Sequence, residues 1–456
     1  MLFHSTRGND SHKSFKDIAI QGLATDGGLY VPDFWPQIDL DQIKACKTYS
    51  DVAKIILPAF ASDSFDEIEI RSMVDDIWQG FPSKHLVQFK NFDDFSIAEL
   101  FHGPTAAFKD FGLQLVSYFL HHILKEDNQN GVILGATSGD TGSAAIHACK
   151  EYSNIKTFIL LPEGNMSEVQ RRQMSTVKNK NIFAIKVSGT FDDCQDIVKQ
   201  AFNSDQFLPQ NFSLLAVNSI NWLRIIAQIC YYFYSFSAIN ITKPLCFSIP
   251  SGNFGNVFSA YAAYKMGLPI KELCVAVNDN DILDRFFKNN DYSKNLTVPT
   301  ISPSMDISVA SNFERLIYDY YLERDAMTCN QLFTNFKSGK LALNDDLFKS
   351  KSGLFSSTVV SQEETRKIMK YFFDNYKYAL DPHSAIACKR ALEKSDFHVV
   401  SMATAHPDKF PDLFRALDIS IANHHPALQD LSNLEERLIA MPCDFSIIKN
   451  FINNSL

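Results

Sequence analysis

Hydrophobic positions in the first ninety residues recur at helical spacing over Phe15 to Leu23 and Tyr49 to Phe60, with the turn-rich Thr25-Asp26-Gly27-Gly28 and a proline-bounded loop, Pro32 to Pro36, between them. This pattern predicts a helical N-terminal domain. From Gly131 the text changes. Short unbroken apolar runs (Val132-Ile133-Leu134, Thr157 to Leu161, Ile182 to Val187) alternate with helix-like stretches, Ser143 to Tyr152 and Asp192 to Phe202. Strands covered on both faces read as continuous apolar runs, and their alternation with helices implies parallel β-α-β units. A second series starts at Leu245 to Ile249 and resumes at His398 to Met402, while residues 310–380 read as mostly helical and carry no repeat. The expected fold class is α/β: two parallel-sheet domains with an appended N-terminal domain.

Length and charge narrow the function. A chain of 456 residues implies two to four domains. Hydrophobic residues make up 46% and charged residues 21%, an ordinary globular balance, and a net charge of -9 disfavours a nucleic-acid surface and favours small-molecule partners. Met1 to Arg7 lacks the apolar core of a signal peptide, and the most apolar stretch, Ile225 to Ile239, is interrupted by Gln228, Ser235 and Ser237. A soluble, cytoplasmic protein without a membrane partner is expected. Nine cysteines stand singly with no CxxC pair, and the histidines lack an HExxH pattern, so reduced thiols and no metal are expected.

Candidate chemistry gathers in four segments. Lys109 lies in His102-Gly103-Pro104-Thr105-Ala106-Ala107-Phe108-Lys109-Asp110-Phe111, flanked by small and apolar residues, which suits a desolvated amine that attacks an aldehyde; taken alone, it also reads as a snorkelling side chain. After the strand Leu245 to Ile249 comes Pro250-Ser251-Gly252-Asn253-Phe254-Gly255-Asn256, then a helix expected from about Val257. A glycine-rich turn at a helix N-terminus offers backbone donors to one phosphate, or is simply a tight turn; without GxxxxGK[ST] or GxGxxG a triphosphate or dinucleotide is disfavoured. Gly135-Ala136-Thr137-Ser138-Gly139-Asp140-Thr141-Gly142 repeats the arrangement, with hydroxyls that could meet an anion or, through Asp140 or Thr141, cap the helix. Thr404, in Ala403-Thr404-Ala405-His406-Pro407, ends a strand at the side where α/β ligands bind.

These segments, with Ser5-Thr6-Arg7 and Gly22 to Pro32, resemble the threonine synthases, pyridoxal-phosphate enzymes of the tryptophan-synthase-β fold group that make L-threonine from O-phospho-L-homoserine and water. The resemblance runs from about residue 5 to residue 410. It implies that Lys109 carries the cofactor as a Schiff base and is the catalytic residue. It implies further that Gly252, Asn253, Phe254, Gly255 and Asn256 cradle the cofactor phosphate and that Thr404 meets the pyridine nitrogen. Thr137, Ser138, Gly139, Asp140 and Thr141 would take the substrate carboxylate, and Ser219, Asn221 and Arg224 the substrate phosphate, for which a guanidinium fork is suited. On the same reading residues 1–90 are the N-terminal domain, 91–128 with 222–456 the large cofactor-binding domain, and 129–221 a small mobile α/β domain, in a monomer or homodimer with the cofactor in the cleft.

The implied chemistry removes an α proton and a β proton, expels the γ-phosphate and adds water at the β carbon, with Lys109 moving the protons. Asn165, in Pro162-Glu163-Gly164-Asn165-Met166-Ser167, stands where the family usually has a lysine or arginine. Asp381-Pro382-His383-Ser384-Ala385 also resembles a family segment, with no role assigned. The rival readings are a related phospho-lyase that releases a 2-oxo acid, and a silent cofactor-binding protein.

Overall fold

The computed structural model describes residues 1–456 except 138, 165, 205, 352, 394 and 395. Two sheets carry the fold. The larger has six strands, ordered across the sheet as Phe355–Val359, Ile270–Val277, Leu245–Pro250, His398–Ala403, Phe95–Glu99 and Gln88–Asn91; neighbours run parallel except the last pair. The smaller is parallel throughout, ordered Ile439–Pro442, Ile182–Ser188, Ile155–Pro162, Asn130–Ala136 and Phe212–Leu215. Both faces of the central strands are covered, which is why they read as unbroken apolar runs. Phe247 and Ile249 face one core while Cys246 faces another, and Val132 and Leu134 point away from Ile133.

Four expectations are corrected. The helix expected from Ser143 begins at Asp140, and the one expected from Val257 begins at Gly255. In both, the glycine-bearing turn is shorter than its composition suggests. The stretch read as helical between 310 and 380 contains the strand Phe355–Val359, half-buried at a sheet edge. The C-terminus does not stay with the large sheet: Ile439–Pro442 pairs with Ile182–Ser188, and Ile448 and Ile452 of the final helix enter the core under Val132, Leu134 and Phe158. Apolar positions on that last helix need a face to bury against, and the sheet face bearing Val132, Leu134 and Phe158 supplies it.

The N-terminal helices are set by local chemistry. Ser14 with Asp17 and Thr48 with Asp51 form capping boxes at the helices Phe15–Gln21 and Tyr49–Ala61. Their apolar faces join a core shared with the helices Lys109–Glu126 and Trp222–Ala238; Phe15 packs on Phe119 at 5.1 Å and Tyr49 on Phe111 at 4.9 Å. The helix Trp222–Ala238 is buried from Trp222 to Ser235, which accounts for its composition. No helix among the described residues is long and apolar enough to cross a membrane, and all nine cysteines are free thiols.

Candidate active site

The segment before Lys109 folds on itself. Gly103 lies so close to Asp110 that a Cβ would sit 2.4 Å from its Oδ2. Asp110, fully buried, accepts from Thr105 N at 2.9 Å and Thr105 Oγ1 at 2.6 Å; burial lifts its carboxyl to about 6 against the opposing pull of those two bonds. Ala106 takes a left-handed φ of 58°, uncommon for a residue with a Cβ, and is held there by the strand end beside it. Phe108 N donates to Thr404 O at 2.9 Å and His406 N to Ala106 O at 3.0 Å, with Ala107 bridging Ala405. Lys109 therefore opens its helix in fixed relation to Thr404.

Lys109 Nζ is 3.2 Å from Asp140 Oδ2 and 3.4 Å from Ser304 Oγ. Burial draws its ammonium below the ordinary lysine range. Asp140 pushes the other way, and Lys409 and Arg224 add to the lowering. A lysine so placed is disposed to lose its proton and act as a nucleophile. Asp140 sits at the N-terminus of the helix Asp140–Cys149, with Oδ1 2.6 Å from Lys409 Nζ and 2.9 Å from Gln170 Nε2. Burial would raise its carboxyl, but the two lysines, with the hydrogen bonds from Lys409 and Gln170, hold it well below the usual range.

The loop after Leu245–Pro250 is built around close approach. A Cβ on Gly252 would lie 2.8 Å from Ser304 O and 3.1 Å from Met305 Cα. Phe254 takes a φ of 63°, buried against Phe313 at 5.1 Å, and the helix Gly255–Lys265 starts with no side-chain cap. Asn253 O accepts from Asn312 N at 3.0 Å. Asn256 Oδ1 accepts from both Tyr231 and Tyr232 hydroxyls, which leaves its buried Nδ2 without a partner; Ser251 Oγ is likewise buried and unpartnered. Unmet donors beside an uncapped helix N-terminus are the makings of an anion site.

The remaining predicted residues divide. Arg224, in the first turn of Trp222–Ala238, is 3% exposed, donates from Nη1 to Val217 O at 3.1 Å and has no partner for Nε; among the described residues no carboxylate pairs with it, and burial alone lowers it to about 10. It packs over Gly112, one turn beyond Lys109. Asn221 cannot serve a phosphate with its amide: Nδ2 donates to Ala19 O and Ala216 O, and Oδ1 caps Leu223 N. Ser219 Oγ lies 3.0 Å from Ser311 Oγ, next to Asn253. Thr137 Oγ1 accepts from Gly139 N and Gly142 N, so this threonine, not Asp140 or Thr141, ties down the start of the helix. Gly139 is the helix cap residue and Thr141 is half-buried in the first turn. The Asp140 side chain is a partner of lysines, and an anion there repels a substrate carboxylate, so that expected role does not hold for its side chain. Ser138 and Asn165 lie outside the described residues.

Three similarities decide the family. Residues 95–331 match the family of pyridoxal-phosphate dependent enzymes, residues 2–78 the threonine synthase N terminus and residues 384–452 the threonine synthase C-terminal family. A threonine synthase of Pseudomonas aeruginosa is 41% identical over 99% of this chain and 98% of its own length. The chain belongs to the threonine synthase family. The threonine synthase of Saccharomyces cerevisiae is 37% identical over 100% of this chain and 98% of its own. A crystal structure of pyridoxal-phosphate-bound threonine synthase from Brucella melitensis superposes with a TM-score of 0.94 at 37% identity, covering 100% of this chain and 99% of that one. As a member, this chain is a pyridoxal-phosphate-dependent enzyme. The residues fit the group: a buried amine with a depressed proton affinity for the aldehyde, and unmet donors of Ser251 and Asn256 at an uncapped helix start for the phosphate.

The sequence left out part of the threonine synthase site. Ser384 Oγ accepts from Thr404 N at 3.1 Å and donates to Asp381, while His383 donates from Nδ1 to Asp381 Oδ1 at 2.9 Å and accepts at Nε2 from Ser304 N at 3.2 Å. The segment given no role thus braces both Thr404 and the Ser304 turn. Its sequence signature, an Asp-Pro helix start followed by His and Ser, was visible. Gln170 and Lys409 had no local signature at all.

Proposed function

We propose that this enzyme converts O-phospho-L-homoserine and water to L-threonine and phosphate in the cytoplasm, with Lys109 as the proton carrier. The observation that carries the reading is Arg224, a buried guanidinium beside Lys109 with no carboxylate partner among the described residues, because a cation left uncompensated in a dry site calls for an anionic ligand. Gly252 to Asn256 would hold the phosphate of pyridoxal phosphate, which when bound would supply the electron sink that stabilises negative charge at the substrate α carbon. Lys109 Nζ takes the α proton and returns protons along the substrate chain. The Thr404 hydroxyl would hold the pyridine nitrogen as a neutral partner, and the Thr404 backbone is braced by Ser384. Arg224 and Ser219 hold the departing phosphate, while the backbone N–H groups of Asp140 and Thr141, at the start of their helix, take the substrate carboxylate.

The test is the product. Incubation with O-phospho-L-homoserine in isotopically labelled water yields L-threonine with label in its hydroxyl and one phosphate per turnover. Accumulation of 2-oxobutanoate with background threonine would instead identify a phospho-lyase on the same fold.

A further inference from the structure

Lys109, mostly buried, shares a single carboxylate with the fully buried Lys409. Lys409 is 0% exposed, with Nζ 2.6 Å from Asp140 Oδ1 and donating to Thr105 O at 3.0 Å. Asp140 Oδ2 is turned the other way, toward Lys109 Nζ at 3.2 Å. Little freedom is left to Lys409. It ends the short turn Pro407–Lys409, which is anchored by His406 N on Ala106 O, and Thr105 O is shared with Gln173 Nε2 at 2.9 Å.

We propose that Lys409 is a positioning residue: clamped between Thr105 and Asp140, it fixes the carboxylate against Lys109 and neutralises the charge that Asp140 presents there. The proposal rests on the reading of Lys109 as the amine that carries the cofactor. A lone buried carboxylate 3.2 Å from Lys109 would hold the ammonium in place, and a tightly held proton makes a poor nucleophile and a poor base. With Lys409 on the other oxygen, Asp140 orients Lys109 without trapping it as a cation. The charged groups that face Lys109 are Asp140, Lys409 and, from the helix Trp222–Ala238, Arg224. Facing Lys409 are Asp140, Asp110 from the Lys109 helix, His147 from the small-sheet side and His425 from the C-terminal segment. Gln170 completes the shell of Asp140 from the helix Glu168–Ser175.

The measurement is the pH dependence of the rate at which the full-length, cofactor-free chain captures pyridoxal 5′-phosphate, followed by its visible absorption band, because only the neutral amine attacks the aldehyde. Lys409→Met moves the midpoint of that rate up by about one pH unit or more. Lys409→Arg leaves it within a few tenths of a unit, and adding Asp140→Asn to Lys409→Met brings it back to the parent value or below. Asp140→Asn alone moves it down, which keeps the idea testable if Lys409→Met does not fold. An unmoved midpoint in Lys409→Met or in Asp140→Asn, with only a lower thermal midpoint, overturns the proposal and leaves Lys409 as packing. Lys109→Ala in the same assay separates this from the underlying reading. A band that persists there sinks both, whereas a lost band with an unmoved Lys409→Met midpoint overturns the proposal alone.

Discussion

The two glycine-bearing loops that flank Lys109 share one local plan, strand, tight turn and helix start, yet face the lysine with opposite electrostatics. The loop from Ser251 to Asn256 leaves donors unmet: Ser251 Oγ and Asn256 Nδ2 are buried without partners, and its helix begins uncapped. In the other loop Thr137 Oγ1 takes the backbone N–H groups of Gly139 and Gly142, and Asp140 places a carboxylate at the helix N-terminus, where the dipole favours it. In the proposed function, one side takes the phosphate of the cofactor. The other brings a permanent anion that orients lysines. Similar sequence patterns therefore mark similar backbones and say little about which sign of charge they will hold.

The comparison breaks most completely at the lysine between the loops. Lys109→Ala removes the amine on which both converge, and turnover should fall on the order of 10⁴-fold or more with loss of the visible band. Normal activity in that variant would end the assignment.

On the phosphate side, Gly252→Val should weaken cofactor retention about 30- to 100-fold, the equivalent of about 2–3 kcal/mol of overpacking, because the new Cβ meets the backbone of Ser304 and Met305 and not a movable side chain. Equilibrium dialysis of the cofactor measures it. Unchanged affinity would mean that the loop is only a turn.

How far this division could be read in advance differs between its parts. The lysine segment and the strand–loop–helix order were legible because apolar runs and glycine turns are local features, and they recur in the sheets as expected. Asp140 was legible as a site residue but not in its sign of action, since its partners Lys409 and Gln170 come from 269 and 30 residues away in the chain. Asn221 misled for the opposite reason: its amide is drawn to the backbone of Ala19, in a helix far off in sequence. The strands at Phe355 and Ile439 were missed because each sits half-buried at a sheet edge, where the apolar run is short and mixed.

Arg224→Lys tests whether the unpaired cation belongs to the substrate and not to either loop. An ammonium keeps the charge and loses the fork, so the KM for O-phospho-L-homoserine should rise about tenfold while cofactor affinity stays put. A parallel loss of cofactor affinity would place the guanidinium on the wrong phosphate.

The smallest effects give the sharpest contrast, through one hydroxyl in each loop. Among the described residues Ser251 Oγ has no partner, so Ser251→Ala should leave the thermal midpoint of the cofactor-free chain unchanged and weaken cofactor binding about fivefold, the equivalent of about 1 kcal/mol for one hydrogen bond. Thr137 Oγ1 already accepts from Gly139 N and Gly142 N. Thr137→Val keeps the shape and removes the acceptor, stranding two loop N–H groups, so it should cost about 1–2 kcal/mol of stability, as the loss of a helix cap does, and should change cofactor affinity little. Thr137→Ser should restore most of the loss. The two variants are expected to exchange phenotypes, stability intact with weaker binding in one loop and binding intact with weaker stability in the other. If Thr137→Val instead lowers cofactor affinity at an unchanged thermal midpoint, the second loop holds the cofactor as the first does, and the contrast between them disappears.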